Sequence, residues 1–500
     1  MKVQQFLEHH GLSQNPFSQE DAQTDPLFKQ HCSRDVFHPA WDKIFGTADE
    51  PATAVVFGEK GSGKTALRLQ IVEQIAAHNR QHPDKRVFVV EYDDFNPFLD
   101  AFHERMKMFS SKPEKTLARI RLWDHMDAIL SIGVTQLVTA ILDGSDPDRD
   151  DAFAVDGGKL TLLSPPQKRD LLLLTAYYDH SLGLSPGERW TRLRRKLHFH
   201  NWKAYWDLAL GISGTTLLFG LTTYFGFLTQ FRDSRWPWIL MLVLWAPWVW
   251  RQLKLLWHAW CVARQVKVIE HPVNPLRATL ARFESKDLVG QPTPSRDRSD
   301  DRYELISKLQ SVLRTLGFQS VTILVDRVDE PHLINGSAER MRDLLWPMFD
   351  NKFLKHAGIG FKLLLPIEVS FYLTKEDKEF YERSRLDKQN LIRSLEWTGE
   401  SLYDLANDRL QAVAIDAQAT NVRLKSWFEA SIPESELVST LARLRVPRHL
   451  FKFIHRLLME HCNRYTVDNP RWEIARETLH SAMAVYLRDL EAYDRGMGTG

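Results

Sequence analysis

The densest run of chemistry-bearing residues is Gly58-Glu59-Lys60-Gly61-Ser62-Gly63-Lys64-Thr65. Its glycines let successive backbone N–H groups turn toward one anion, its lysine adds a mobile cation, and its last residue adds a hydroxyl. This is the G-x-x-x-x-G-K-[ST] spacing of a phosphate-cradling P-loop. Lys64 would reach the terminal phosphates of a nucleoside triphosphate, and the Thr65 hydroxyl would hold Mg²⁺. The whole stretch from Gly58 through Lys60, Ser62 and Lys64 to Ala66 is the predicted nucleotide site. The alternative is a glycine-rich turn that binds nothing. Against it stands the local context: an apolar run at 54–57 for a strand, then a helix-prone run at 66–72 whose positive N-terminal end also favours an anion.

A second run complements the first. Val321-Thr322-Ile323-Leu324-Val325-Asp326-Arg327-Val328-Asp329-Glu330 is an apolar strand ending in acid, the Walker B form. Asp326 is expected to hold the metal, directly or through water, together with Thr65. Asp329 or Glu330 could polarise the attacking water as a general base. Alone, this run would read as an ordinary strand with a charged turn. After the next strand, 358–366, Glu368 could face the γ-phosphate or simply close a strand end.

The elements that must position these groups exceed one core, since 500 residues imply two or three folded units. The net charge of +1 gives no global attraction to nucleic acid. Cys32, Cys261 and Cys462 are scattered, which argues against a disulfide framework or zinc site. The N-terminus lacks the apolar core and small-residue site of a cleaved secretory signal. The fold class expected is α/β, a parallel P-loop NTPase sheet carrying a helical insertion, a two-helix transmembrane hairpin and a C-terminal helical region, which the resemblance given below implies is a C-terminal helical lid. Residues 1–50 lead in and pack on the domain. Residues 51–96 form the first part of the NTPase domain, with a second strand at 86–92. Residues 97–204 are a helical insertion with an acidic loop at 146–151, 205–260 the hairpin, and 261–303 a linker whose 285–303 part reads as a loop. Residues 304–400 return to the NTPase domain and end in a strand at 391–397. Residues 401–494 are helical throughout, and 496–500 a loose tail.

Nine of the sixteen tryptophans fall between Trp202 and Trp260. No charge occurs between Asp207 and Arg232, and residues 236–250 are again uncharged. A spanning helix needs about 20 apolar residues; the second run reaches that length if Arg251 and Lys254 snorkel. Basic residues flank both ends, including Arg194, Arg195, Lys196, Arg264 and Lys267, so the positive-inside tendency puts both flanks in the cytoplasm. The membrane partner is then residues 208–257, with a multi-pass placement in the inner membrane. A buried hairpin in a soluble core is the alternative. His198 and His200 have no accompanying Cys or carboxylate pattern and read as an interfacial or solvated pair rather than a metal pair.

A P-loop and a Walker B run separated by an insertion with a membrane pair resemble the KAP-type P-loop NTPases, relatives of the AAA+ and STAND ATPases. The resemblance covers roughly residues 40–460, and its specific part is the two motifs and the insertion. Asp326-Arg327-Val328-Asp329-Glu330 is nearer the AAA+ and STAND style than the usual KAP form. The resemblance implies ATP and Mg²⁺ as substrate and cofactor, and a lid arginine that contacts the nucleotide, here Arg448 in Val446-Pro447-Arg448-His449. It also implies an arginine finger to a neighbouring subunit, Arg385 or Arg383, and hence a homo-oligomer. The expected activity is ATP hydrolysis by a cytoplasmic-face switch or motor. The alternatives are a nucleotide-gated scaffold with little turnover, a nucleic-acid-associated AAA+ protein and, last, a phosphotransferase.

Overall fold

The computed structural model describes residues 1–32, 36–107, 112–143, 151–181, 183, 185–224, 235–415 and 422–494. The expected tail at 496–500 and most of the acidic loop at 146–151 lie outside them. The chain is α/β and mostly helical, with one five-stranded sheet. Its strands are β1 (Ala54–Gly58), β2 (Arg86–Tyr92), β3 (Phe318–Val325), β4 (Ile359–Pro366) and β5 (Asn390–Ile392). The spatial order is β2-β3-β4-β1-β5. β1 runs parallel to both neighbours, with Ala54 opposite Lys362 on one side and Asn390 on the other. β1 and β4 are buried at every residue, which is why they read as unbroken apolar runs rather than alternating ones.

The chain divides into two compact units. One comprises residues 1–81, 322–329 and 349–500; the other, residues 82–321 and 330–348. The division passes through β3.

In the first unit, residues 1–17 join the C-terminal helices Gly399–Ala412, Pro447–Arg464 and Arg476–Asp494 in one apolar core. Phe6 and Phe17 both meet Trp427 edge-on, and Arg409 pairs with Asp25 where both are nearly sealed from water. The expected strand at 391–397 is shorter than its apolar pattern. Leu395 N still donates to Phe57 O at 2.8 Å, but Trp397 N turns away to Arg445 O.

In the second unit, two helices among the described residues are long and apolar enough to cross a membrane: Leu122–Leu142 and Trp238–Gln265. Burial separates them, at 72% for the first and 11% for the second. Leu122–Leu142 is a core helix. It carries Asp127, which takes two hydrogen bonds of 3.0 Å from Arg302 and one of 2.7 Å from Tyr178 in full burial. Desolvation pushes the Asp127 carboxyl up and Arg302 opposes it. The second helix begins at Trp236 and packs beside Trp206–Tyr224. Cβ atoms at Gly211 and Gly214 would sit 3.2 and 2.9 Å from Trp245 and Leu244, so the glycines permit close approach. Trp245 Nε1 donates to Thr215 Oγ1 at 2.9 Å. Elsewhere both helices leave large apolar side chains exposed, among them Leu217, Phe219, Leu242 and Val243. The turn between them, 225–234, lies outside the described residues. The stretch read as a loop at 285–303 contains a short helix, Ser285–Leu288, and the start of Ser299–Thr315. Asp300 and Asp301, taken as loop charges, complement the positive end of that helix.

Candidate functional site

β1 ends at Gly58 and the helix Lys64–Gln81 begins six residues later, so the loop between them is the strand-to-helix turn the motif requires. Gly61 and Gly63 adopt φ of +90° and +95°, a region that favours glycine. A side chain at Gly58 would collide with Ser62 Oγ, and one at Gly61 would come within 2.5 Å of Arg448 Cβ. Ser62 is fully buried and its Oγ has no hydrogen-bond partner among the described residues. The loop is thus a tight cradle with an unspent polar group.

Lys64 Nζ donates to Gly58 O at 2.7 Å and Glu59 O at 3.1 Å. Burial lowers its pKa, while Asp326, Asp329 and Glu368 act to raise it and Arg448 acts with burial. The fold therefore gathers the charges of Lys64, Asp326, Asp329, Glu368 and Arg448 in one place. Thr65 Oγ1 donates to Asp326 Oδ2 at 3.4 Å, bringing together the two groups that sequence spacing assigned to the metal. The Asp326 carboxyl is pushed up chiefly by desolvation, opposed by Arg68. Arg68 Nε lies 3.5 Å from Asp326 Oδ2, with both side chains buried. Arg68 was not predicted, yet it had a signal: it lies three residues after Thr65, on the same helix face.

Arg448 opens the helix Pro447–Arg464, and its backbone N donates to Gly61 O at 3.3 Å. Its guanidinium lies 3.9 Å from Glu20, which also meets Lys452 at 3.3 Å. Glu330 is exposed and belongs to the second unit. Arg385 is exposed at the C-terminal cap of the helix Lys378–Ser384 with φ of +49°. Arg383 lies 5.7 Å over the Phe380 ring.

Among the described residues, no three or more His, Cys, Asp or Glu side chains gather as a metal site. An ion at Thr65 and Asp326 would draw its other ligands from phosphate oxygens and water, as Mg²⁺ at nucleotide sites does. The donor set, one hydroxyl and one carboxylate, fits that hard cation. Compared with protein-family models, curated proteins and solved structures, the chain gives no match.

Proposed function

We propose that the chain is a membrane-anchored P-loop ATPase of the KAP, AAA+ and STAND kind, with the C-terminal helices as a lid. One observation carries this reading: the Thr65 hydroxyl faces the Asp326 carboxylate one residue beyond Lys64, at the mouth of a glycine-built loop. Lys64 would exchange the Gly58 and Glu59 carbonyls for terminal phosphate oxygens. Mg²⁺, held by Thr65 and Asp326, would neutralise phosphate charge. Arg68, 3.5 Å from Asp326 Oδ2, opposes the desolvation that favours the protonated carboxyl. Asp329, whose charge reaches Lys64, or Glu330 would orient the water and accept its proton. Arg448 would sense the nucleotide from the lid, and Arg385 would act on a neighbouring subunit.

Asp326→Asn is expected to cut ATP turnover at least about hundredfold, because the metal loses its charged ligand. Binding of metal-free ADP should persist. Phosphate-release assays beside ADP titration check this, and turnover equal to the parent's would refute the site. Asp329→Asn and Glu330→Gln then identify the base, since loss of the base traps ATP. If the parent shows no turnover for either variant to lose, the scaffold reading replaces the enzyme.

The exposed apolar faces of Trp206–Tyr224 and Trp236–Gln265 support the anchor. At its base Arg251 donates to Ala281 O and Phe283 O at 3.0 and 2.7 Å, so this cation is held at the foot of the hairpin. The full chain is expected to sediment with membranes and need detergent for release. A variant lacking residues 205–260 should stay in the supernatant and hydrolyse ATP. Membrane association of that variant equal to the parent's would remove the anchor from the reading.

A further inference from the structure

The P-loop is braced from outside by a residue with no part in its motif. Trp397 Nε1 donates to Ser62 O at 2.9 Å. The chain has no cis peptide bond among its described residues, and in a trans peptide the carbonyl and the following N–H point in opposite directions. Fixing Ser62 O on the indole side therefore turns the Gly63 N–H to the other side of the loop. Gly63 has the left-handed φ this needs, and the indole lies 3.9 Å from where a Gly63 Cβ would sit.

Trp397 is itself fixed. Its backbone N donates to Arg445 O at 3.2 Å. The His38 ring packs edge-on to it at 5.2 Å, with His38 Nε2 bonded to Glu396 O at 2.9 Å. Arg445, with φ of +61°, places its guanidinium 3.1 Å from Glu59 and 3.2 Å from Glu396. Those ion pairs are solvent-exposed and contribute little. The indole bond, half-buried against the loop, is the effective member.

We propose that Trp397 is a positioning residue for the phosphate-binding loop, presetting the Gly63 N–H toward the anion. This rests on the nucleotide-binding reading above. It predicts a loss of affinity for the phosphates without a loss of fold. Two variants of the full detergent-solubilised chain test it. Trp397→Phe removes the N–H and trims the ring. A benzothienyl-alanine at position 397 keeps the two-ring outline and replaces only the N–H with sulfur.

Both should bind ATP and ADP roughly three- to tenfold more weakly by calorimetry, the factor one ordinary hydrogen bond carries. KM should rise by the same factor with kcat unchanged, as for lost uniform binding. Melting without nucleotide should stay within about 2 °C of the parent. Parent-like affinity in both variants overturns the proposal. So does a fall in melting that accounts for the lost affinity, which would make Trp397 only structural. If the parent itself binds neither ATP nor ADP, the nucleotide reading fails instead.

Discussion

Lys64→Ala is expected to abolish ATP turnover and to weaken ATP and ADP binding at least about hundredfold. The ammonium would make two or more charge-assisted hydrogen bonds to phosphate, each contributing about 1.5–3 kcal/mol. A factor of a hundred is about 2.7 kcal/mol, so the loss of one or two such bonds suffices. The fold should survive. In the nucleotide-free chain Lys64 spends its protons on two loop carbonyls, Gly58 O and Glu59 O, in part-buried contacts where water can replace the ammonium. Calorimetric titration with each nucleotide, beside a melting curve, checks both halves. A variant that hydrolyses ATP like its parent would overturn the site. Proton linkage gives a further sign. Burial lowers the Lys64 pKa, and a bound polyphosphate would raise it again. Affinity is therefore fully present below the lowered pKa of the free chain and falls as pH rises through it.

What the sequence made legible follows from how local each signal is. The cradle is written in eight adjacent residues, and its glycine positions, backbone turn and helix start are properties of those residues alone. Asp326 was legible because an apolar strand ending in acid, read together with the 58–65 motif, pairs the acid with Thr65, and Thr65 does meet it. Trp397 and Glu20 touch the site's residues from 335 and 428 positions away in sequence. No spacing rule reaches that far. The same limit hid the partnership of residues 1–17 with the C-terminal helices, which apolar pattern announced only as something that packs. Apolarity alone would also misplace Leu122–Leu142. Asp124, His125 and Asp127 within it are the sequence signal that it needs buried partners rather than lipid, and it finds them.

Lys362 is the clearest case of a residue whose environment contradicts its type. It stands in the middle of the sheet, on β4 opposite Ala54, and is 1% exposed. No carboxylate offsets it. Its Nζ donates to Ile44 O at 2.6 Å, Phe45 O at 2.9 Å and Ala52 O at 2.6 Å. The lysine thereby ties the segment ahead of β1 to the sheet that carries the 58–65 loop. Replacing it with methionine keeps the stem but takes the donor from three carbonyls, buried at Ile44 and half-buried at Phe45 and Ala52, at about 1–3 kcal/mol for each that stays without water. Removing a desolvated amine offsets part of that, so the expected net loss is about 2–4 kcal/mol in denaturant unfolding. The pH profile separates the two effects. Burial pushes the Lys362 pKa down from 10.5 to about 7. Between those values the unfolded chain holds the proton and the folded chain does not, so stability rises with pH across that window. At about 1.36 kcal/mol per pH unit the rise is at most about 5 kcal/mol. The three carbonyls reduce it, because an ammonium has three protons to give and an amine two. Lys362→Met should lose this rise, so its deficit against the parent widens as pH climbs from about 7 toward 10.5. Parallel pH profiles for parent and variant would show instead that the lysine stays charged across the window, held by its three carbonyls.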